Sequence, residues 1–409
     1  MPEVLPFRAL RFDPATAGEL SRLIAPPYDV ISPEQQHALH EASPHNIVRL
    51  ILGRERPTDT ERDNRYVRAR AAFDAWHAGG LLKRDARPAI YVTEHAFTVR
   101  GRRLVRLGFT ALLGLDDGTV SRVFRHEATL SGPRADRARL LDAVPANLSP
   151  IFCVYPEESG AIQARLAHAV RARPADAEAR AGGDVIRLWV MDEPAWIESV
   201  RAALRDASLL IADGHHRFEV ACGRRDRYGA VMAYFASMAD PALVVWPIHR
   251  VIGPGPAPDP KALADLVRLE PAEDLESLLG WLAEPAKETR FGYARGDALA
   301  RAIVTSEARR QWLAAPGMPA DIAALDVGVL HGLLLPGLGA APERVRYAAD
   351  AAEAVRAAGQ TGQTAWLLRG VPLAAVHALA SRGLTCPPKT TYFYPKVFSG
   401  LVINPQDSA

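Results

Sequence analysis

Cysteine is scarce in this chain: Cys153, Cys222 and Cys386 are the only three in 409 residues, and they stand far apart without metal-type spacing. That argues against a zinc ribbon or a disulfide framework and suits a reducing interior. Long hydrophobic runs are also missing. No stretch of about 18 apolar residues occurs, so neither a spanning helix nor a membrane partner is expected. The opening, MPEVLPFRALRFDP, lacks a positively charged start followed by an apolar run, and the expected location is cytoplasmic. An excess of one charge is absent as well. The formal net charge is +2 from 49 basic and 47 acidic residues, with no Lys/Arg run, which argues against nucleic acid as a partner. Lysine is the rarest of the charged residues. Only Lys83, Lys261, Lys287, Lys389 and Lys396 occur, and the remaining 44 basic residues are arginines. Two of the five lysines fall within eight residues of the tail, either by chance or because a compact ammonium of tunable pKa is wanted there.

What is present is the composition of a globular chain of one or two domains, 48% hydrophobic and 23% charged, without internal repeats. LPFRALRF alternates like a strand. Ser32 before Pro33 and Glu34 reads as a helix N-cap, which leaves Tyr28 and Asp29 in the loop ahead of it. Apolar residues at helical spacing predict an amphipathic helix within 61–82, ended by Gly79-Gly80. Residues 89–115 predict a β-hairpin turning around Gly101. A polar Gly-Pro loop then leads to a short helix and a strand at 151–155. The stretch 157–180 reads as helix, DVIRLWVM as strand, 193–207 as helix and SLLIAD as strand, which is the rhythm of an α/β protein. Strands follow around AVMAYFASM and ALVVWPIHRVI. Pro254 to Pro260 holds four prolines in seven residues and is the expected linker. The expected organisation is therefore a core over 1–253, a second α/β region over 261–385, and a tail over 386–409 that packs back on the body.

The stretch LLIADGHHRFEVA carries the densest chemistry. A strand that ends at Asp213-Gly214 before a helix from about Arg217 leaves free backbone N–H groups at the helix start, where the dipole favours an anion. Gly214 permits close approach or a positive φ, Arg217 offers a planar fork to phosphate, and His215 and His216 add donors. Asp213 is repulsive to a phosphate unless it holds Mg²⁺ or accepts a proton from an attacking hydroxyl, the two tasks phosphoryl transfer gives to carboxylates. The plainer alternative is that Asp213 caps the helix while the histidines pack. A zinc site is a third, without partner spacing to support it.

Asp-Gly-His-His-Arg between a strand and a helix resembles the phosphate-binding box of the ParB/sulfiredoxin fold, and especially the Asp-Gly-His-Thr-Arg form found in free-serine kinases. Over essentially the whole chain, APPYDVIS, HNIVRL, HEATLSGPRADR, ANLSPIF, ADGHHRFEVA, PIHRVI and PPKTTYFYPKVFSGLV resemble domain-of-unknown-function family 1015. The resemblance implies an α/β (α+β) fold with a ParB/sulfiredoxin-like nucleotide-binding core, a β-hairpin insertion and a smaller second region. It matches Gly214, His216 and Arg217 to phosphate contacts and Asp213 to the aspartate of the kinases, while His215 replaces the reactive cysteine of sulfiredoxin. An N-terminal carboxylate acts as base in those kinases, and Asp29 or Glu127 could fill that role.

HEATLSGPRADR adds Arg134 to the phosphate-binding candidates, against the alternative of a solvated, helix-capping loop. The tail adds Thr390 for phosphate and Lys389 as the preferred electrostatic contributor, against the alternative of a terminal strand packing its aromatics. The expected function is a phosphotransferase or phosphatase acting on serine or phosphoserine with ATP or ADP and Mg²⁺. Asp213 would be the metal ligand, and Asp213, Asp29, Glu127 and Lys389 the catalytic groups. The rival is a non-catalytic nucleotide-binding switch or partner-binding module of the ParB-like type. A homodimer is compatible with either.

Overall fold

Arg100 and Gly101 both take positive φ, 47° and 74°, and turn the chain back between the strands Ile90–Val99 and Arg102–Gly114. Left-handed dihedrals at both loop positions match the twist of an antiparallel pair, so the expected hairpin forms. The same device recurs at Gly182 and Gly183, with φ of 58° and 95°. There it joins Ala177–Ala181 to Asp184–Met191, although the sequence predicts helix as far as 180. The helix stops at Ala172 because Pro174 has no N–H to continue it, and the residues beyond become a strand.

The computed structural model describes residues 1–255, 258–315, 317 and 319–406, in two units. Pro256 and Ala257 of the expected linker lie outside the described residues. One unit contains Met1–Arg125, Thr129–Val244 and the chain from Pro395 onward; the other contains His126–Ala128 and Val245–Tyr394. The tail is thus shared. Its first part belongs to the second unit and its last part to the first, where Ser399 bridges Ala25 and Ile403 bridges Leu10.

Unit 1 is built on a nine-stranded sheet: β1 (Val4–Leu5), β2 (Ile90–Val99), β3 (Arg102–Gly114), β4 (Val123–Phe124), β5 (Ile151–Tyr155), β6 (Ala177–Ala181), β7 (Asp184–Met191), β8 (Leu209–Asp213) and β9 (Ala230–Ser237). The order is β4-β8-β5-β9-β3-β2-β7-β6, with β1 on β3. β8 is parallel to β4 and β9 to β5, while the other pairs are antiparallel, so the sheet is mixed. The helices that matter are α1 (Arg65–Ala78), α2 (Ser131–Ala143), α3 (Ala161–Ala172), α4 (Pro194–Leu204) and α5 (His215–Cys222). Asn64 caps α1, which is shorter than the predicted 61–82, and Ser32 caps Pro33–Ala42 as expected.

Alternation along the strands gives the sheet two buried faces. One carries Phe109, Cys153, Ile211 and Phe235 and is covered by Leu166 of α3, Val200 of α4 and Phe218 of α5. The other carries Tyr91, Leu188 and Met232 and is covered by Phe7, Ala9 and, from the tail, Val402. Gly108 lies in β3 because the Tyr234 ring crosses it: a Cβ there would meet the hydroxyl at 2.2 Å.

Unit 2 holds a six-stranded antiparallel sheet in the order Val267–Pro271, Ala298–Val304, Arg290–Arg295, Thr364–Leu367, His249–Ile252 and Val345–Ala348. Phe291 and Trp366 centre one face, and Leu278 and Ala354 cover the other. The chain is thus a mixed α/β protein with several sheets. Among the described residues, no helix is long and apolar enough to cross a membrane.

Candidate functional site

β8 is wholly buried, and its ladder with β5 shifts register between Ile211 and Asp213, so the strand's last carboxylate is set out of plain alternation. Gly214 follows with φ 90° and ψ 27°, a left-handed conformation that turns the strand directly into α5. The helix therefore begins at His215, two residues before the expected Arg217, and both histidines sit in its first turn.

Asp213 is 8% exposed and carries two ion pairs. Arg217, one turn along α5, donates from Nη2 to Oδ2 at 2.5 Å, and Lys396 from the tail donates from Nζ to Oδ1. Arg217 also donates from Nη1 to the carbonyl of Pro150 at the entry to β5. Burial opposes ionisation of Asp213, but the charges of Lys396 and Arg217 overcome it and hold the carboxyl well below the usual carboxylate range, with a further contribution from His215. Two cations against one carboxylate leave this buried triad with a net positive charge at the positive end of a helix. Among the described residues, Nε of Arg217 finds no hydrogen-bond acceptor.

Gly214 is tied to this geometry twice over. Its φ is unfavourable for any side chain, and a Cβ would come within 3.0 Å of the Arg217 guanidinium. Gly229 has φ 63° with nothing near its Cβ direction, so it shares the strain without the contact. Gly229→Ala is expected to cost about 1–2 kcal/mol from backbone strain alone. Gly214→Ala should cost roughly 3 kcal/mol or more, because it also displaces a buried cation from its partner. Urea unfolding of both variants checks this; equal losses would show that the guanidinium contact is not what Gly214 accommodates.

The other expected residues divide between the units. His216 accepts at Nε2 from Leu130 N–H at 2.9 Å, which leaves the ring proton on Nδ1 and fastens the start of α2 to α5. Arg134 pairs with Glu219 at 2.6 Å, and Thr129 donates to the same carboxylate. Asp29 is exposed in the turn Tyr28–Val30. Its neighbour Tyr28 stacks under Arg137 at 3.8 Å, and Arg137 and Arg217 line one cavity, so this loop lies near the triad. A cavity of about 60 Å³ opens beside Arg217, lined by Ile51, Leu140, Leu148 and Val220 with Arg137 and Ser149. It falls short of the roughly 300 Å³ of ordinary ligand pockets.

Glu127, Lys389 and Thr390 form a separate cluster within unit 2. Glu127 accepts from the Lys389 backbone N–H at 2.8 Å, His126 meets the Thr391 hydroxyl at 2.9 Å, and Thr390 donates to Pro387 O at 2.6 Å. Lys389 takes φ 55° and its side chain is exposed. The lysine that reaches Asp213 is Lys396, the tail lysine that the sequence favours less than Lys389. Its signal was the scarcity of lysine itself. Among the described residues, no group of three or more His, Cys, Asp or Glu is arranged to hold a metal ion.

A model of the family described as "Protein of unknown function (DUF1015)" matches residues 4–327, well over half of the chain. The chain belongs to this DUF1015 family. No curated protein matches it. Among solved structures, this DUF1015 chain is similar to a free serine kinase mutant in complex with ADP, with TM-score 0.37 and 12% identity over 69% of this chain and 87% of that one. It is also similar to SbnI with a C-terminal truncation from Staphylococcus aureus, with TM-score 0.38 and 9% identity over 72% and 86% of the two chains. A conserved hypothetical protein from Pyrococcus furiosus gives TM-score 0.33 and 13% identity over 70% and 92%.

Proposed function

We propose that unit 1 is a phosphotransferase core of the ParB/sulfiredoxin-like kind, moving a phosphoryl group between ATP or ADP and a small hydroxy amino acid, serine or phosphoserine. The observation that carries this reading is the buried triad of Asp213, Arg217 and Lys396, net positive and set at the start of α5. Anions are bound where helix N–H groups, a guanidinium and an ammonium converge, and charge that develops on a transferring phosphoryl group is stabilised by the same donors.

In this reading Arg217, with an Nε–H still to place, and Lys396 share their hydrogen bonds between Asp213 and the phosphate. Asp213 orients the pair of cations, and it would meet a divalent ion only as one of them turns from its oxygens to the phosphate. The residues fit Mg²⁺ in one sense only. A single carboxylate suffices when phosphate oxygens and water complete the shell, so the ion would arrive with the nucleotide and would neutralise phosphate charge. Asp29, on the loop that lies near Arg217, is the base assigned to the acceptor hydroxyl. Glu127, Lys389 and Thr390 are given no step, since their contacts close the 387–391 loop of unit 2. The cavity beside Arg217 has to widen for a nucleotide to enter.

The test uses the full chain with Mg²⁺, labelled ATP and serine, and in the other direction phosphoserine and ADP. Label should pass between nucleotide and serine, and Asp29→Asn should slow transfer about 10²–10⁴-fold with binding retained. Nucleotide binding without transfer to any hydroxylated acceptor would replace the enzyme with a switch. No thermal shift with ATP, ADP or phosphoserine would remove both.

A further inference from the structure

Arg106 is the least expected residue of the sheet. It lies in the middle of β3, is 1% exposed, and forms no ion pair with a carboxylate among the described residues. A buried guanidinium costs several kcal/mol unless its surroundings repay it. Here the repayment is specific. Nη1 donates to the carbonyl of Pro395 at 2.7 Å, and the guanidinium lies over the rings of Phe152 at 4.9 Å and Tyr234 at 5.4 Å. Pro395 is the residue before Lys396. On the other side of Lys396, Phe398 packs on the ring of His95, and Ser399 N–H donates to Ala25 O at 2.8 Å. His95 stands opposite Arg106 across the β2–β3 ladder and is held by Asp184 at 2.8 Å. The backbone on both sides of Lys396 is therefore fixed to one face of the sheet.

The geometry points to Arg106 as a positioning residue that sets the Lys396 ammonium against Asp213. A lysine has four flexible methylenes, so its backbone anchor decides whether the ammonium reaches a buried partner or swings to water. A neutral residue at 106 would pack as well between two rings and be easier to bury, which is why the donor to Pro395 O is the informative feature. The functional weight of the assignment rests on the phosphotransfer reading above, but its geometry does not.

Competitive acetylation of the full chain with acetic anhydride, read lysine by lysine by mass spectrometry, separates the two. The chain supplies its own standards, since only five lysines are present. Lys83 has a side chain 65% exposed, against 12% for Lys396. In the native protein Lys396 should react at least about tenfold more slowly than Lys83, because its ammonium must first leave a buried carboxylate, and an opening cost of about 1.4 kcal/mol is a factor of ten. In Arg106→Leu the ratio should approach one while the other four lysines keep their rates, and Arg106→Gln, which retains a donor, should fall between. Unchanged protection of Lys396 in either folded variant overturns the assignment. Loss of the cooperative urea transition in Arg106→Leu would signal unfolding, and Arg106→Gln then decides. Adding ADP to the wild type tests the other reading independently: if ADP leaves the rate at Lys396 unaltered and shows no binding, the nucleotide reading fails and the labelling ratio still judges Arg106.

Discussion

Asp213→Ala is expected to destabilise unit 1 by about 3–5 kcal/mol, the cost of removing one partner from a buried charge pair and leaving the other uncompensated. Here the loss strands two cations, Arg217 and Lys396, each with a side chain 12% exposed. They would face one another with no anion between them. Formate should recover part of the loss by returning a carboxylate to the vacated space, whereas chloride at equal ionic strength should recover less. Replacing all three at once, as Asp213→Leu, Arg217→Met and Lys396→Met, should cost far less than the single change, because no unpaired charge remains. Urea unfolding of the single and triple variants decides the matter. A triple variant no more stable than Asp213→Ala would mean that the charges are not the source of the loss.

The same group gives stability a direction in pH. The folded carboxyl is held below its unfolded value, so the unfolded chain binds the proton more readily and folding is favoured when the group is ionised. The contribution is complete above the unfolded value of about 3.9 and is lost as pH falls from there toward the folded value. Asp213→Asn should therefore flatten the acid limb of stability below about pH 4 and leave the neutral slope unaltered.

Local rules were legible where one residue type has one physical task. Ser32 before a proline, the Gly79-Gly80 stop and the turn at Gly101 each announce a conformation that few other residues supply. Ala177–Ala181 was hidden because Ala-Glu-Ala-Arg-Ala has helical composition; only Gly182 and Gly183, and the partner strand they permit, make it β. α5 starts two residues ahead of the sequence expectation because histidine is a poor helix signal, and the left-handed Gly214 that launches the helix is visible only as a glycine. At the site, Asp213 through Arg217 could be read as one local unit. Lys396 could not, since its partner is 183 residues away in sequence. Nor could Arg106, whose neighbours in β3 predict only a strand.

Lys396→Met is expected to leave unit 1 folded but to lower phosphoryl transfer about 10²–10³-fold, the usual cost of removing one preorganised donor from a site where charge develops. Methionine keeps the length and apolar stem of lysine, so the packing of the 395–399 segment is preserved. Asp213 then keeps Arg217 alone, and its carboxyl should titrate at a higher pH than in the wild type, since one of the two charges that depress it is gone. The sharper comparison is with Lys389→Met, the lysine that the sequence favours. Its ammonium is exposed, and the contact that Lys389 makes with Glu127 comes from the backbone N–H, which substitution does not remove. That variant should alter transfer by less than about threefold, the scale of an exposed charge. If instead Lys389→Met abolishes transfer and Lys396→Met does not, the triad at Asp213 is a structural ion cluster and the phosphoryl group is handled elsewhere. Equal and complete loss in both would require each ammonium to meet the same charge, and saturation kinetics would separate them. A lysine that binds the ground state raises KM alone, whereas one that stabilises the transferring group lowers kcat.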